Sequence, residues 1–181
     1  MLVGNGDAAM RRLKLLDEGG AKMVSVFADN PSPELRKSGG ERLKARLPQK
    51  KDFTGISAVM IAGMPEEITA KMAEEARKLG ILVNVEDDKK YCNYHVPAIV
   101  RRGDFLLTIS TAGKSPRLSL RLRQELEKLF PSKWEKKLNE LEVLRNKWRK
   151  KGDDMKTVAK KTDEWLEENS LLKNICKHKK R

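Results

Sequence analysis

A glycine-rich turn almost at the start of the chain constrains its fold most strongly. Gly4, Gly6 and Ala9 are spaced as G-x-G-x-x-A, directly after the apolar residues Leu2 and Val3 and ahead of a helical pattern. A strand that runs through such a turn into a helix brings backbone N–H groups and the helix dipole to the pyrophosphate of a dinucleotide. Glycines also collect at purely structural turns, so the spacing alone is a weak signal.

An acidic residue follows at the distance that dinucleotide binding requires. Asp29 ends the second predicted strand, "KMVSVFA", about 20 residues beyond the turn. A carboxylate there would accept hydrogen bonds from the adenosine ribose and would repel a 2′-phosphate. The pattern therefore favours NAD over NADP.

Strands and helices alternate as far as about residue 85, which predicts a parallel α/β sheet. The later predicted strands are "ERLKARL", "SAVMIAG" and "ILVNV". The apolar residues predicted to face the sheet from the first and third helices are Ala8, Leu13 and Leu16, and Ile68, Met72, Ala76 and Leu79.

The pattern changes after this sheet. "HVPAIVRRGDFLLTIST" predicts two strands joined by an Arg-Gly-Asp turn, and Ser115 with Pro116 predicts the start of a helix. Further helical stripes follow, and such stripes usually form core. Their apolar residues are Leu118, Leu122, Leu126 and Leu129, then Trp134, Leu138, Leu141, Leu144 and Trp148, then Met155, Val158, Trp165 and Leu166.

Composition limits the class of protein. The chain has 39 Lys and Arg against 26 Asp and Glu, a net charge of +13, which attracts nucleic acid, acidic lipid or a polycarboxylate ligand. No apolar run approaches the roughly 20 residues that cross a membrane. Cys92 and Cys176 have neither disulfide-framework nor zinc-site spacing, which favours a reducing cytoplasm.

The acidic stretch after the last parallel strand is the first candidate for chemistry. Asn84 and Asp87 lie where a nicotinamide ring would be held, so Asp87 could act as a proton acceptor. An Asx turn or an ordinary loop carboxylate is the alternative. His95 could be a ligand or an acid, or a hydrogen-bonded loop histidine, and neither it nor His178 has neighbours that suggest a metal site.

A cationic group near the hairpin is the second candidate. Arg101, Arg102 and Lys114, with the helix start at Ser115, would bind carboxylates if they converge. Arginines at a hairpin turn are otherwise solvated.

Three segments, in this order, resemble the precorrin-2 dehydrogenase family, which is the dehydrogenase module of siroheme synthase. They are "VGNGDAAMRRLKLLDEGGA", "ILVNVEDDKKYCNYHVPAIVRRGD" and "TISTAGKSPRLSLRLRQELE". The resemblance implies oxidation of precorrin-2 to sirohydrochlorin with NAD, and in some members insertion of ferrous iron. It implies a Rossmann-type NAD-binding domain over residues 1–95, a dimerisation element over 96–130 and a helical domain with a basic tail over 131–181. The implied protein is a cytoplasmic homodimer without a methyltransferase domain.

The same resemblance assigns roles to residues. It implies that Asp87 is catalytic, and it explains the positive charge by the carboxylates of a tetrapyrrole substrate. The implied cofactor-binding residues are Gly4, Asn5, Gly6, Asp7, Ala8, Asp29, Asn30 and Gly63. The implied substrate-binding residues are Asn84, His95, Arg101, Arg102, Thr111, Lys114 and Ser115.

The chain departs from the family pattern at a few positions. Asn5 replaces a common glycine, which we expect to be tolerated if its backbone is left-handed. Gly63, Met64 and Pro65 replace Ala-Thr-Asp beside the cofactor. Two other functions stay open: a chelatase or tetrapyrrole carrier that has lost NAD use and, because of the net charge of +13, a nucleic-acid-binding Rossmann protein. The chain lacks the interleaved aromatic and basic residues of a stacking platform, which argues against nucleic acid.

Overall fold

The computed structural model describes residues 1–172, which form two compact units. The first unit is Met1–Val96, and the second begins at Pro97. The basic tail, with Cys176 and His178, lies outside the described residues.

The first unit is a five-stranded parallel sheet with helices between the strands, which confirms the predicted α/β class. The strand order is β3-β2-β1-β4-β5, so the chain changes direction across the sheet between β1 and β4. The strands are β1 (Leu2–Gly4), β2 (Val26–Phe27), β3 (Leu43–Lys44), β4 (Ala58–Ala62) and β5 (Leu82–Val85). The helices are α1 (Gly6–Glu18), α2 (Pro33–Gly39) and α3 (Glu66–Lys78), with short 3₁₀ helices at Gly40–Arg42, Lys50–Phe53 and Lys89–Tyr91.

Apolar side chains cover both faces of this sheet. On one face, Leu13 of α1 packs in a buried cluster with Leu2 and Val26. On the other face, Met72 of α3 packs in a second cluster with Val83. Because parallel strands are covered by helices on both sides, their carboxyl ends stay open to ligands at one edge of the sheet.

Some sequence predictions for this unit were wrong. The predicted strand "KMVSVFA" is ordered as a strand only at Val26–Phe27, and the Met23 side chain is 98% exposed. Leu79 was expected to face the sheet, but it is the C-cap of α3 and is exposed, because the helix ends before its turn returns to the core. Ala9, rather than Ala8, is the fully buried alanine of α1.

The second unit is an antiparallel hairpin followed by helices. Its elements are β6 (Ala98–Arg102), β7 (Phe105–Ile109), α4 (Pro116–Leu129), α5 (Lys133–Lys150) and α6 (Met155–Glu168). The Ser115 hydroxyl accepts a hydrogen bond from the Leu118 N–H, which confirms the predicted helix start. Phe105, Phe130 and Trp134 form an aromatic cluster between the hairpin, the end of α4 and the start of α5. The domain boundary expected at residue 130 stays a prediction.

Two of the predicted helical stripes are only partly buried within this unit. Leu118, Leu122 and Leu129 of α4 are 50%, 42% and 42% exposed, and Met155 of α6 is exposed, whereas Val158 is buried. Among residues 1–172, no helix is both long enough and apolar enough to cross a membrane.

Candidate active site

The glycine turn joins β1 to α1 at the open edge of the sheet. A Cβ at Gly4 would lie 1.9 Å from the carbonyl oxygen of Ala62, so only glycine allows β1 and β4 to approach this closely. Gly6 has φ 61°, a left-handed conformation that glycine adopts without strain, and the space beside its Cα is open. Tolerance of Asn5 was predicted for a left-handed backbone, but the φ of Asn5 is −128°, and an extended backbone of this kind accepts any residue.

The N-terminus of α1 is suited to an anion. The Asn5 side chain makes no capping bond to this helix. The first backbone N–H groups, those of Gly6, Asp7 and Ala8, have no partner within residues 1–172 and point out of the helix end. Asp7 is an exposed residue of this first turn, and its N–H, not its carboxylate, would face a phosphate.

The turn after β4 packs against the glycine turn. Gly63 has φ 64°, and a Cβ there would lie 2.5 Å from the Asn5 carbonyl oxygen and 3.3 Å from the Ala8 Cβ. The sulfur of Met64 lies 3.4 Å from the Asn5 Nδ2. The predicted cofactor residues Gly63 and Ala8 are therefore in direct proximity, and Gly63 serves chiefly to let the two turns meet.

Asp29 and Asn30 lie at the same edge, directly after β2 and the buried Ala28. The Asn5 Nδ2 donates to Asp29 Oδ1 at 2.6 Å, and the Asn5 Oδ1 accepts from the Asn30 N–H at 3.2 Å. Both Asp29 and Asn30 are exposed, so the second carboxylate oxygen of Asp29 faces solvent. The geometry fits a dinucleotide. The uncapped N-terminus of α1 would bind its pyrophosphate, and the Asp29 carboxylate would bind its ribose, both near the point between β1 and β4 where the strand order reverses.

Three consecutive acidic residues, Glu86, Asp87 and Asp88, follow β5. Within residues 1–172, only the carboxylate of Asp87 has no partner. Glu86 pairs with Arg11 and Arg12 of α1 at 3.4 and 3.8 Å. Asp88 Oδ1 accepts the Lys90 N–H at 3.1 Å. Asp87 is exposed, has φ 61°, and makes no hydrogen bond or ion pair within residues 1–172. A free carboxylate on an anchored loop can accept a proton from a ligand.

The anchoring of this loop includes residues that the sequence analysis did not select. The Cys92 Sγ lies 3.1 Å from the Val85 N–H, and its S–H can donate to the carbonyl oxygens of Val85 or Asp88 at 3.3 and 3.2 Å. The Asn93 Oδ1 accepts from the Val83 N–H at 2.6 Å. Cys92 and Asn93 thus make hydrogen bonds along the outer edge of β5, the edge that does not pair with β4. The only sequence signal for this role was the need of an edge strand for partners.

Asn84 was predicted to bind substrate, yet the residue is buried, with only 4% of its surface exposed. Its Nδ2 donates to the Tyr94 carbonyl oxygen at 3.1 Å, and its Oδ1 is buried without a partner in the described residues. Burial raises the pKa of the Tyr94 phenol, and the positive charge of Arg12 opposes that shift. Asn84 therefore holds the backbone at Tyr94, and its contact with substrate stays a prediction.

The other predicted substrate residues divide into two kinds. His95 and Lys114 are exposed, and Arg101 is half-buried; none of these side chains has a partner within residues 1–172. The remaining side chains hold the second unit together. Arg102 donates to the carbonyl oxygens of Phe130, Arg101 and Glu127, Thr111 bonds Ser115 and Ser119, and Ser115 caps α4.

Comparison with known proteins identifies the first unit. The family described as "Putative NAD(P)-binding" matches residues 1–98. The chain belongs to this NAD(P)-binding family. A second family, described as "Sirohaem biosynthesis protein central", matches residues 107–129, which span the end of β7 and α4. The two matches confirm the resemblance to the dehydrogenase module of siroheme synthase.

Curated relatives of this NAD(P)-binding chain are siroheme synthases. The siroheme synthase of Methylococcus capsulatus is 34% identical over 136 residues, covering 74% of this chain and 29% of the relative. Siroheme synthase 1 of Aeromonas salmonicida is 35% identical over 133 residues, covering 72% of this chain and 28% of the relative. The chain thus spans about three tenths of the length of the curated relatives it matches.

A solved structure has the same fold. The protein described as "SirC, precorrin-2 dehydrogenase" superposes with a TM-score of 0.71, covering 98% of this chain and 93% of that chain, at 21% identity. This likeness confirms the Rossmann-type sheet with a helical C-terminal part.

Proposed function

We propose that this chain is an NAD-dependent precorrin-2 dehydrogenase that oxidises precorrin-2 to sirohydrochlorin in siroheme biosynthesis. The observation that carries the proposal is the free carboxylate of Asp87 at the same sheet edge as the uncapped α1 N-terminus and Asp29. The names of the siroheme synthase relatives and of the precorrin-2 dehydrogenase neighbour support it.

The proposed cofactor contacts follow from the turn geometry. The N–H groups of Gly6, Asp7 and Ala8 would bind the pyrophosphate, because they have no partner in the described part of the chain and lie at the positive end of α1. Asp29 would accept the ribose hydroxyls, with Asn30 beside it. A carboxylate in that position favours NAD over NADP.

The proposed chemistry needs a hydride acceptor and a proton acceptor. NAD, when bound, supplies the hydride acceptor. Oxidation of precorrin-2 breaks one C–H bond with loss of a hydride and releases one proton. Asp87 is proposed to take that proton at its carboxylate, directly or through a water. If ferrous iron is also a substrate, Asp87 is the group proposed to accept pyrrole protons as the metal enters.

The proposed substrate contacts are the cationic and imidazole side chains that have no partner within residues 1–172. Arg101, Lys114 and His95 keep free side chains, and guanidinium and ammonium groups suit the acetate and propionate arms of a tetrapyrrole. Arg102, Thr111 and Ser115 make hydrogen bonds within the hairpin and α4, and their contacts with substrate stay predictions.

The proposed working form is a cytoplasmic homodimer. The exposed leucines of α4 support the dimer, since a monomer seldom leaves such a stripe in water. The spacing of Cys92 and Cys176, which is not that of a disulfide framework, supports the compartment.

The experiment that tests the proposal follows NADH absorbance under anaerobic conditions, with NAD and enzymatically generated precorrin-2. We expect NADH to form together with sirohydrochlorin at a rate that Asp87→Asn lowers at least about 100-fold, with nucleotide binding retained. Asp88→Asn is the matched control, because the Asp88 carboxylate is already held by the Lys90 N–H.

The outcomes separate the candidate functions. NADH formation at the rate of a no-enzyme control would exclude the dehydrogenase, and retained tetrapyrrole binding would then favour a chelatase or carrier. Equal activity of Asp87→Asn and the unaltered chain would remove Asp87 from the mechanism.

A further inference from the structure

The Asn5 side chain joins loops that follow three different strands. It lies after β1, donates from Nδ2 to Asp29 Oδ1 after β2 at 2.6 Å, and places Nδ2 3.4 Å from the Met64 sulfur after β4. Its Oδ1 accepts the Asn30 N–H at 3.2 Å. A single carboxamide therefore links the glycine turn to the residues that would meet the ribose.

The orientation of this carboxamide is set by its partners. Its donor faces a carboxylate, which only accepts, and its acceptor faces a backbone N–H, which only donates. Rotation of the amide by 180° would oppose oxygen to carboxylate and N–H to N–H. The two hydrogen bonds therefore allow only one orientation of the Asn5 carboxamide, and they hold one oxygen of Asp29 in place.

The backbone of Asn5 makes this reach possible. Its φ of −128° is extended, and its side chain leaves the α1 N-terminus uncapped. An asparagine at this position would ordinarily cap the helix. Here the side chain turns to Asp29, so the helix N–H groups and the Asp29 carboxylate both remain available to one ligand.

Two departures from the family pattern meet at this point. Asn5 contacts Met64. Gly63 has φ 64° and approaches the Asn5 carbonyl so closely that a Cβ would lie 2.5 Å away. The Gly63-Met64 turn therefore packs against Asn5, with Gly63 beside its carbonyl group and Met64 beside its carboxamide.

We propose that Asn5 is a specificity-determining residue that acts by positioning Asp29, a role that rests on the proposed binding of NAD. With one oxygen held by Asn5, the other oxygen of Asp29 faces the ribose hydroxyls. A held carboxylate cannot rotate away from a 2′-phosphate without losing the bond to Asn5, so NADP is rejected more strongly than by a free aspartate.

The test is the affinity for nucleotides of the full chain, measured by calorimetry with NAD and NADP. We expect Asn5→Ala to lower the ratio of NAD to NADP affinity about 10-fold, the range of one charge-assisted hydrogen bond. Because Asn5 acts through Asp29, Asn5→Ala should leave the ratio unchanged in an Asp29→Ala background. Asn146→Ala, on the exposed face of α5, is the matched control.

The results distinguish this inference from the proposed function. A ratio that is unaltered by Asn5→Ala, in a chain that binds NAD, overturns the inference alone. An equal fall of the ratio in both backgrounds also overturns it, since Asn5 would then act independently of Asp29. An unaltered chain that binds neither nucleotide overturns both. Asn5→Gly, which permits any backbone conformation, replaces Asn5→Ala if the latter fails to fold.

Discussion

Asp87 has a strained backbone conformation and an exposed carboxylate. Its φ of 61° is left-handed, a conformation that costs an L-residue about 1–2 kcal/mol, less for aspartate. The strain persists because Glu86 is paired with Arg11 and Arg12 on one side and the Asp88 carboxylate and carbonyl are bonded on the other. The two neighbours hold the loop, and of the three acidic residues only Asp87 has a carboxylate without a partner within residues 1–172.

This strain predicts opposite responses at neighbouring positions. At Asp87, the glycine variant should be about 1 kcal/mol more stable than the alanine variant, because glycine alone is unstrained at φ 61°. At Asp88, whose φ is −129°, alanine should be the more stable variant. Urea denaturation of the four variants measures both differences. The same order of stability at both positions would mean that the Asp87 backbone is not constrained.

At the scale of elements, the order of strands and helices could be predicted because each is short and apolar on its buried side. The extent of β2 could not, since Val24 and Val26 favour a longer strand, whereas only Val26 and Phe27 pair with β1. In the site, Gly4, Gly6 and Asp29 were predictable from spacing. The Asn5–Asp29 bond and the thiol of Cys92 were not, because both depend on which loops the sheet brings together.

A second link between elements joins Asp52 to Arg46 and leads to a prediction about stability in acid. The Asp52 carboxylate, in the 3₁₀ helix Lys50–Phe53, accepts from Arg46 Nη1 and Nη2 at 2.7 and 3.0 Å and from the Gln49 N–H at 2.7 Å. These bonds, the Arg46 pair foremost, hold the pKa of Asp52 well below its usual range. Arg46 also lies over the Phe27 ring, 5.2 Å from its centroid, so the link reaches β2.

The depressed pKa of Asp52 predicts a pH-dependent loss of stability. A carboxyl whose pKa is lower in the folded state stabilises above its unfolded pKa of about 3.9 and ceases to do so as the pH falls through the folded value. Asp52→Asn should therefore lower the melting temperature at pH 7, and this deficit should shrink progressively below pH of about 4. Glu74→Gln, in an exposed pair with Lys78, is the control and should have little effect. A deficit that is equal at pH 7 and at low pH would exclude the ionised pair as its cause.

At the scale of the whole molecule, the exposed leucines of α4 have the spacing of an interface. Leu122 lies four residues after Leu118, and Leu129 lies seven residues after Leu122. At these spacings the three leucines lie on one side of the helix and form a continuous stripe. Val143 of α5 is more exposed, at 67%, but has no such stripe around it. A stripe buries enough apolar area to stabilise association, whereas an isolated side chain does not.

The proposed homodimer can be tested on this stripe. We expect the unaltered chain to have the mass of a dimer by light scattering after gel filtration, and Leu122→Glu to have the mass of a monomer, because a carboxylate would be buried opposite its own symmetry copy. Val143→Glu should remain dimeric, which separates loss of the interface from a general effect of added charge. A monomeric unaltered chain would exclude the dimer. A dimeric Leu122→Glu would place the interface elsewhere and leave the α4 stripe as exposed surface.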